Sequence, residues 1–327
     1  MSGCMGTDKP RIAILMAVYE PRMDWLREQL LSLNAQTYPN LMLYVRDDCS
    51  PTVPYAEIEQ CVQECITRFP YIMARNEKNE GSNLTFEQLT REAEGEYFAY
   101  CDQDDVWLPE KLEVLQETMV RENALLVCSD VCVINGDGQY IANSIRKVRR
   151  HHKFYSGVNL FKRLLVKNFV IGCTMLIDAL TAKNSIPFCP YMVHDQYLSL
   201  QAAISGGIIS LNKQLISYRI HGRNQTGIMM GVFDKRSYYE QRIAPVLCQL
   251  NWLEEHLDLS DNQHKTLKQC QAWITARKTN WLNHVGMANV IKYCRFNGLV
   301  SFGELMLCRL PNNILSQVVM LARKNYI

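Results

Sequence analysis

Tyr97-Phe98-Ala99-Tyr100-Cys101-Asp102-Gln103-Asp104-Asp105-Val106-Trp107-Leu108-Pro109 is an apolar run that delivers three carboxylates within four residues and then meets a proline. The run predicts a buried strand, and the proline can open the helix that follows. Carboxylates this close repel one another, so a folded site that gathers them needs a compensating cation. Oxygen ligands favour a hard divalent ion such as Mg²⁺ or Mn²⁺, which in enzymes also holds substrate phosphates. The plainer reading is an acidic turn that caps the next helix, Asp105 being either that cap or a support for the neighbouring carboxylates.

Working outward, strand and helix patterns alternate through the first half. Arg11–Val18, Leu41–Asp47, Tyr71–Arg75, Glu96–Asp102 and Leu125–Ile134 predict strands. Between them, Met23/Leu26/Leu30/Leu33, the segment Tyr55–Arg68, the segment Asn83–Glu94 with Leu84 and Leu89 inward, and Leu112/Leu115/Met119 predict helices. Such alternation implies a parallel sheet with helices on both faces, whose ligands bind at the carboxyl ends of the strands. The polar clusters fall at those ends: Ala17-Val18-Tyr19-Glu20, Asp47-Asp48-Cys49-Ser50 and Asp102–Asp105. Farther on, Phe169–Asp178 reads as a strand, Asp195–Ala203 as a helix, and Gly207–Leu211 and Leu215–His221 as two short strands. From about Lys235 the pattern is helical.

Composition narrows the class. The chain has 327 residues and a formal net charge of +2, which suits one large α/β domain with an appendage. Between Asp137 and Asp178 there is no acidic residue, while eight Lys and Arg from Arg146 to Lys167 would attract phosphates or an anionic surface, or else form a solvated loop. Thirteen cysteines lack metal-ligand spacing and a secretory context, which suggests reduced, buried thiols and a cytoplasmic location. No run is long enough for a membrane span. The first turn lacks the glycines of a dinucleotide fold, and no P-loop is present.

Six motifs in order resemble the family-2 glycosyltransferases of the GT-A fold, in particular bacterial rhamnosyltransferase-like enzymes of surface-polysaccharide (O-antigen or capsule) assembly. They are Ala17-Val-Tyr19, Asp47-Asp-Cys-Ser50, Asn79-Glu-Gly-Ser-Asn83, Asp102 through Lys111, His194-Asp-Gln196 and Tyr218-Arg-Ile-His-Gly-Arg-Asn224. The resemblance covers Arg11 to Gly227 and implies a Rossmann-like, mostly parallel sheet flanked by helices, with a helical C-terminal region. The corresponding division is a disordered segment 1–10, a GT-A domain 11–234 and a helical region 235–327.

The resemblance also implies roles. Ala17 and Tyr19 would line the nucleotide pocket, with Asp47 or Asp48 accepting from the base. Arg223 and Asn224 would contact the donor, and Asn79 and Asn83 would either hydrogen-bond it or serve as loop and cap residues. Asp104 would hold Mn²⁺ or Mg²⁺, with Asp102 toward the ribose side or also on the metal, and His221 on the metal or phosphate. Asp195 would be the general base, and His194 would orient it or touch the acceptor. The expected partners are a dTDP- or UDP-sugar and a glycan or polyprenyl-diphosphate-linked acceptor, and no nucleic acid. From the residues themselves, the apolar and basic tail Leu299–Ile327 is compatible with an amphipathic helix pair in peripheral contact with the inner membrane face, or else packs on the main domain. The Asp-Gln-Asp-Asp-Val-Trp form makes rhamnose the first sugar to test. A metal-dependent nucleotidyltransferase would use similar carboxylates but leaves Asp195 unexplained. An inactive nucleotide-sugar-binding module should have lost Asp102, Asp104 or Asp195, and all three are present.

Overall fold

The computed structural model describes residues 9–221 and 231–324, with no side-chain detail from 322 onward. Nine strands form one sheet among the described residues: β1 (Ile12–Val18), β2 (Leu41–Asp47), β3 (Tyr71–Arg75), β4 (Tyr97–Cys101), β5 (Val106–Trp107), β6 (Leu126–Ile134), β7 (Tyr140–Ala142), β8 (Met175–Asp178) and β9 (Ile208–Arg219). The helices of its first half are α1 (Met23–Asn34), α2 (Tyr55–Cys65), α3 (Ser82–Glu92) and α4 (Lys111–Glu122). They are followed by the short α5 (Ile145–Val148), α6 (Phe161–Leu164) and α7 (Ala179–Asn184), then α8 (His194–Ser205).

The strand order is β3-β2-β1-β4-β8-β6-β9-β5, with β7 beside β6. The first four strands are parallel. Residues 12–16 of β1 are buried without alternation, as a strand covered on both faces requires. One antiparallel strand, β8, is inserted between β4 and β6. Because β9 runs parallel to β6, the carboxyl end of β9 reaches the same sheet edge as those of β1, β2 and β4. The amino end of β8 arrives there too.

Several local expectations change. Residues 208–219 form one strand, whose pairing with β6 shifts register around Asp130. Only Met175–Asp178 of the expected strand 169–178 pairs as a strand, after a 3₁₀ turn at Gly172–Thr174. Leu84 is exposed, since α3 starts at Ser82 and turns Thr85, Phe86 and Leu89 inward. Gly81 precedes that helix at φ +83°, a conformation that favours glycine. Of the N-terminal segment, residues 1–8 lie outside the described residues; Pro10 accepts from Tyr38 Oη at 2.6 Å and Lys9 from Asn40 Nδ2 at 2.9 Å.

Two compact units are present. The first comprises residues 1–158, 169–188 and 194–221 and holds the sheet; the second comprises 159–168, 189–193 and 222–327. The second unit includes α9 (Lys235–Arg242), α10 (Ala244–His256), α11 (Asp261–Asn283), α12 (Met287–Lys292), α13 (Gly298–Leu307) and α14 (Asn312–Lys324). Its interior contains an ion pair between Arg277 and Glu304, 2.5 Å apart, to which the Tyr238 hydroxyl adds a hydrogen bond. The described cysteines are all free thiols. No described helix is long and apolar enough to cross a membrane.

Candidate active site

The carboxyl edge of the sheet in the first unit collects the predicted polar residues, and hydrogen bonds tie their loops together. Tyr19 follows β1 with its ring 44% exposed, and its backbone is held on both sides by Gln103: Tyr19 N donates to Oε1 at 2.8 Å and Gln103 Nε2 donates to Tyr19 O at 3.0 Å. Glu20 and Cys49, at the turns after β1 and β2, both have positive φ (46° and 59°). Non-glycine residues held there carry strain of the kind often concentrated at binding sites. Ser50 Oγ joins the two turns, accepting from Glu20 N at 2.9 Å and donating to Asp47 Oδ1 at 2.6 Å. Ala17, on β1 and half-buried, lies just before them.

Asp47 and Asp48 are both buried and serve different loops. Asp47 pairs with Arg75 Nε at 3.1 Å. Asp48 accepts from Asn76 Nδ2 and Glu80 N at 2.7 Å and from Gly81 N at 2.8 Å. Asp48 therefore builds the 79–81 loop, on which Asn79 is exposed; Asn83 stands in the first turn of α3.

The acidic turn is shaped by β5. Val106 and Trp107 pair antiparallel with Ser217 and Ile216, so the chain leading back to Asp104 runs beside the end of β9. Arg219, 1% exposed, fastens this junction. Its N–H donates to Asp105 Oδ1 at 2.9 Å, its Nε to Asp104 O at 2.7 Å, and its Nη2 to Glu28 of α1 at 2.5 Å. Two residues on, His221 Nε2 meets Asp104 Oδ2 at 2.7 Å, and the His221 ring lies 4.8 Å from that of Trp25. Asp105 does not cap α4, which begins at Lys111 after Glu110; its carboxylate is committed to β9.

Beneath the turn, Asp102, Asp105 and Cys173 bring their ligating atoms within 4.8 Å of one another. Burial, Asp104 and Asp195 push the Asp102 carboxyl up to about 7. Burial first, then Asp104 and Asp102, also raises the Asp105 carboxyl. Lys111 is fully buried and donates to Cys173 O at 2.6 Å; desolvation pulls its ammonium down to about 7 although nearby acidic groups oppose the shift. The Cys173 thiol is raised well above its ordinary range by burial, so this inner cluster is poorly suited to a hard cation. Asp104 and His221, with side chains 20% and 13% exposed, are the more accessible ligand pair, and half-buried Asp102 adjoins them.

Asp195 enters from the first turn of α8. Its Oδ2 accepts from Gly172 N at 3.1 Å and its Oδ1 from Gln196 N at 2.6 Å, which fix the carboxylate's orientation. Gly172 is needed by close approach: a Cβ there would stand 2.8 Å from His194 Nε2 and 3.4 Å from Asp195 Cβ. His194 packs its ring 4.1 Å from Phe86 and 5.3 Å from Tyr100, and burial lowers its pKa to about 3. Its Nε2 is buried with no hydrogen-bond partner among the described residues. The neutral ring thus packs against Phe86 and Tyr100 and stands with Asp195 beside Gly172. Arg223 and Asn224 lie outside the described residues. Sequence reasoning missed Gly172, Trp25, Glu28 and Cys173, whereas the supporting residues Ser50, Gly81, Gln103, Lys111 and Arg219 stood within quoted motifs.

A mostly parallel sheet with flanking helices and an acidic loop at its carboxyl edge defines the GT-A class. The family description "Glycosyl transferase family 2" matches residues 13–182, and the chain belongs to that family. Among its relatives, an uncharacterized glycosyltransferase of Rickettsia felis is 26% identical over 66% of this chain and 34% of its own. The putative teichuronic acid biosynthesis glycosyltransferase TuaG of Bacillus subtilis is 26% identical over 52% of this chain and 63% of its own. The Escherichia coli UDP-Glc:alpha-D-GlcNAc-diphosphoundecaprenol beta-1,3-glucosyltransferase WfgD is 25% identical over 62% and 73%. The chain thus spans about a third of the length of the Rickettsia felis relative. S. aureus TarS 1–349 in complex with UDP-GlcNAc superposes with a TM-score of 0.58 at 16% identity, over 97% of this chain and 88% of that one. The mannosyltransferase PcManGT from Pyrobaculum calidifontis, in complex with GDP-Man and Mn²⁺, gives 0.57 at 12% identity, over 98% and 87%. These two structural likenesses speak to the fold alone.

Proposed function

We propose that this chain is an inverting, metal-dependent, non-processive glycosyltransferase. In this reading it moves a sugar from a nucleoside-diphosphate donor to a glycan or lipid-linked acceptor in surface-polysaccharide assembly, at the cytoplasmic side of the membrane. The observation that carries the reading is the meeting of Asp104, His221, Asp102 and the amide-held Asp195 at one sheet edge. The names of TuaG and WfgD support the polysaccharide setting and the lipid-linked acceptor.

Tyr19 stacks on the nucleobase, and Asp47 accepts its N–H. Asp48 is the alternative acceptor: each carboxylate already accepts from three donors, Asp47 from Ser50 N, Ser50 Oγ and Arg75 Nε and Asp48 from Asn76 Nδ2, Glu80 N and Gly81 N, and Asp47 is the one linked through Ser50 to the Tyr19–Glu20 turn. Asp102 sits toward the ribose and the metal, and Ala17, Asn79 and Asn83 line the donor side. Arg223 and Asn224, which lie outside the described residues, would contact the donor by the resemblance of their motif alone. Asp104 and His221 would hold Mn²⁺ or Mg²⁺, the carboxylate and imidazole donors being suited to Mn²⁺ in particular. When bound there, such an ion would supply positive charge to offset that of the diphosphate leaving group. Asp195 removes the acceptor hydroxyl's proton as that oxygen attacks the anomeric carbon, while the sugar–phosphate bond breaks on the opposite face. Rhamnose from a dTDP donor remains the first sugar to test, beside the UDP-linked glucose in WfgD's name.

The test combines a nucleotide-sugar panel with Mn²⁺ and the Asp195→Asn variant. Donor binding should raise the wild-type unfolding temperature. The variant should bind donor as well as wild type does but transfer roughly 10²–10⁴-fold more slowly. Full transfer by Asp195→Asn would remove the base assignment; absence of binding and turnover across the panel would remove the function.

A further inference from the structure

After Asp261 the chain contains one carboxylate, Glu304, against nine Lys and Arg. Glu304 is 4% exposed and neutralised by Arg277 within the second unit. The outward charge of this region is therefore basic. Lys292 and Arg295 are exposed before α13, and Arg309 is exposed after it.

The same helices present apolar side chains in excess of their packing needs. In α13, Ser301, Glu304 and Leu305 are buried, yet Leu299, Phe302 and Met306 remain 76%, 54% and 72% exposed. Their spacing of three and four places them on a common stripe. In α14, Leu315 and Val319 are buried while Ile314, Val318 and Leu321 are 42%, 38% and 60% exposed at the same kind of spacing. Each helix thus has an inner face already packed and an outer apolar stripe. Isolated exposed apolar residues are ordinary, but an exposed apolar stripe on each of two successive helices, in a stretch of chain whose one carboxylate is buried, is not.

We infer that α13 and α14 are a peripheral docking surface for an anionic lipid bilayer, with the two apolar stripes entering the interface and Lys292, Arg295 and Arg309 meeting acidic headgroups. Apolar side chains supply the burial and basic ones the attraction to acidic lipid, the combination required of helices that lie on a membrane without crossing it. The charge favours a bilayer over a second copy of the same basic surface, which would bring like charges together. The inference concerns the second unit and does not depend on the catalytic reading, since vesicle binding and nucleotide-sugar binding are measured separately.

The experiment is co-sedimentation of the 327-residue chain with phosphatidylcholine vesicles, with and without one-third phosphatidylglycerol. The acidic vesicles should bind at least about tenfold more tightly, with the difference shrinking in high salt. Leu299→Glu/Met306→Glu should abolish binding, and Lys292→Glu/Arg295→Glu should remove the preference for acidic lipid. Circular dichroism and melting should match wild type in both variants, as these side chains are exposed. Equal binding to the two vesicle types, or binding unchanged in the folded double variants, overturns the inference. So does a dimer that Leu299→Glu/Met306→Glu dissociates, or a preference for soluble nucleic acid over acidic vesicles.

Discussion

Arg219→Met tests whether the acidic turn is held in place from β9. The substitution keeps an unbranched apolar stem and removes the donors that reach Asp104 O at 2.7 Å and Glu28 at 2.5 Å. The backbone N–H to Asp105 survives, so the change isolates the guanidinium. A hydrogen bond from a charged donor contributes about 1.5–3 kcal/mol. The Glu28 pair adds at most about 1 kcal/mol, because that carboxylate is 54% exposed and screened by water. Relief of the desolvation cost of a buried cation offsets part of the loss. The net expectation is destabilisation by about 1–3 kcal/mol, read as a urea midpoint shift at constant slope. Arg219→Lys keeps the charge but cannot serve both acceptors, so it should recover less than half of the loss. Glu28→Gln alone should cost under about 1 kcal/mol. Since Asp104 and His221 follow the same junction, Mn²⁺ affinity should fall at least about tenfold in Arg219→Met even at temperatures where it is fully folded. An Arg219→Met protein within about 0.5 kcal/mol of wild type, with unchanged Mn²⁺ affinity, would refute the reasoning.

Other predictions concern the groups around this junction. His194 titrates near 3 when folded against an ordinary 6.5, so the stability it contributes is complete above pH 6.5 and is lost as pH falls through that window. Its contribution to the acid limb should approach about 1.4 kcal/mol per pH unit, and His194→Phe should flatten a plot of unfolding free energy against pH by that amount. Asp102, raised to about 7, must lose its proton to ligate, so Mn²⁺ affinity measured by calorimetry should rise as pH approaches 7 and level off above it. A flat profile from pH 5.5 to 7 would take Asp102 out of the metal site. Gly172→Ala places a Cβ 2.8 Å from His194 Nε2, which should destabilise by about 1–3 kcal/mol and slow transfer by displacing Asp195; equal melting and turnover would show that the turn yields freely. Asp48→Ala removes an acceptor shared by three donors and should cost at least about 3 kcal/mol in chemical unfolding, whereas a role confined to the nucleobase would leave stability unchanged.

The alternating apolar runs were sufficient to read β1 to β4 and their helices, because a strand buried on both faces has to be apolar throughout and a helix packed on it has to repeat every three to four residues. Polar residues at the strand ends were legible for the same reason: where burial stops, ligand chemistry can start. Long-range neighbours left no such local trace. Nothing in the spacing of Arg219 announces that it reaches back 115 residues to Asp104, or that β5 pairs with β9 to bring them together. Nor could periodicity predict that β8 inserts antiparallel between β4 and β6 and so sets Gly172 against Asp195. His194 makes the same point, since a polar residue in a functional motif became a half-buried ring packed against Phe86 and Tyr100. By itself the sequence determined the layers, the edge on which the site lies and the residues available to it, all of which follow from local burial and chain direction. Tertiary structure alone decided which carboxylate faces a histidine, which supports a loop and which is locked to a neighbouring strand. Those choices depend on sheet order and on pairings between segments more than a hundred residues apart, and local pattern carries no record of either.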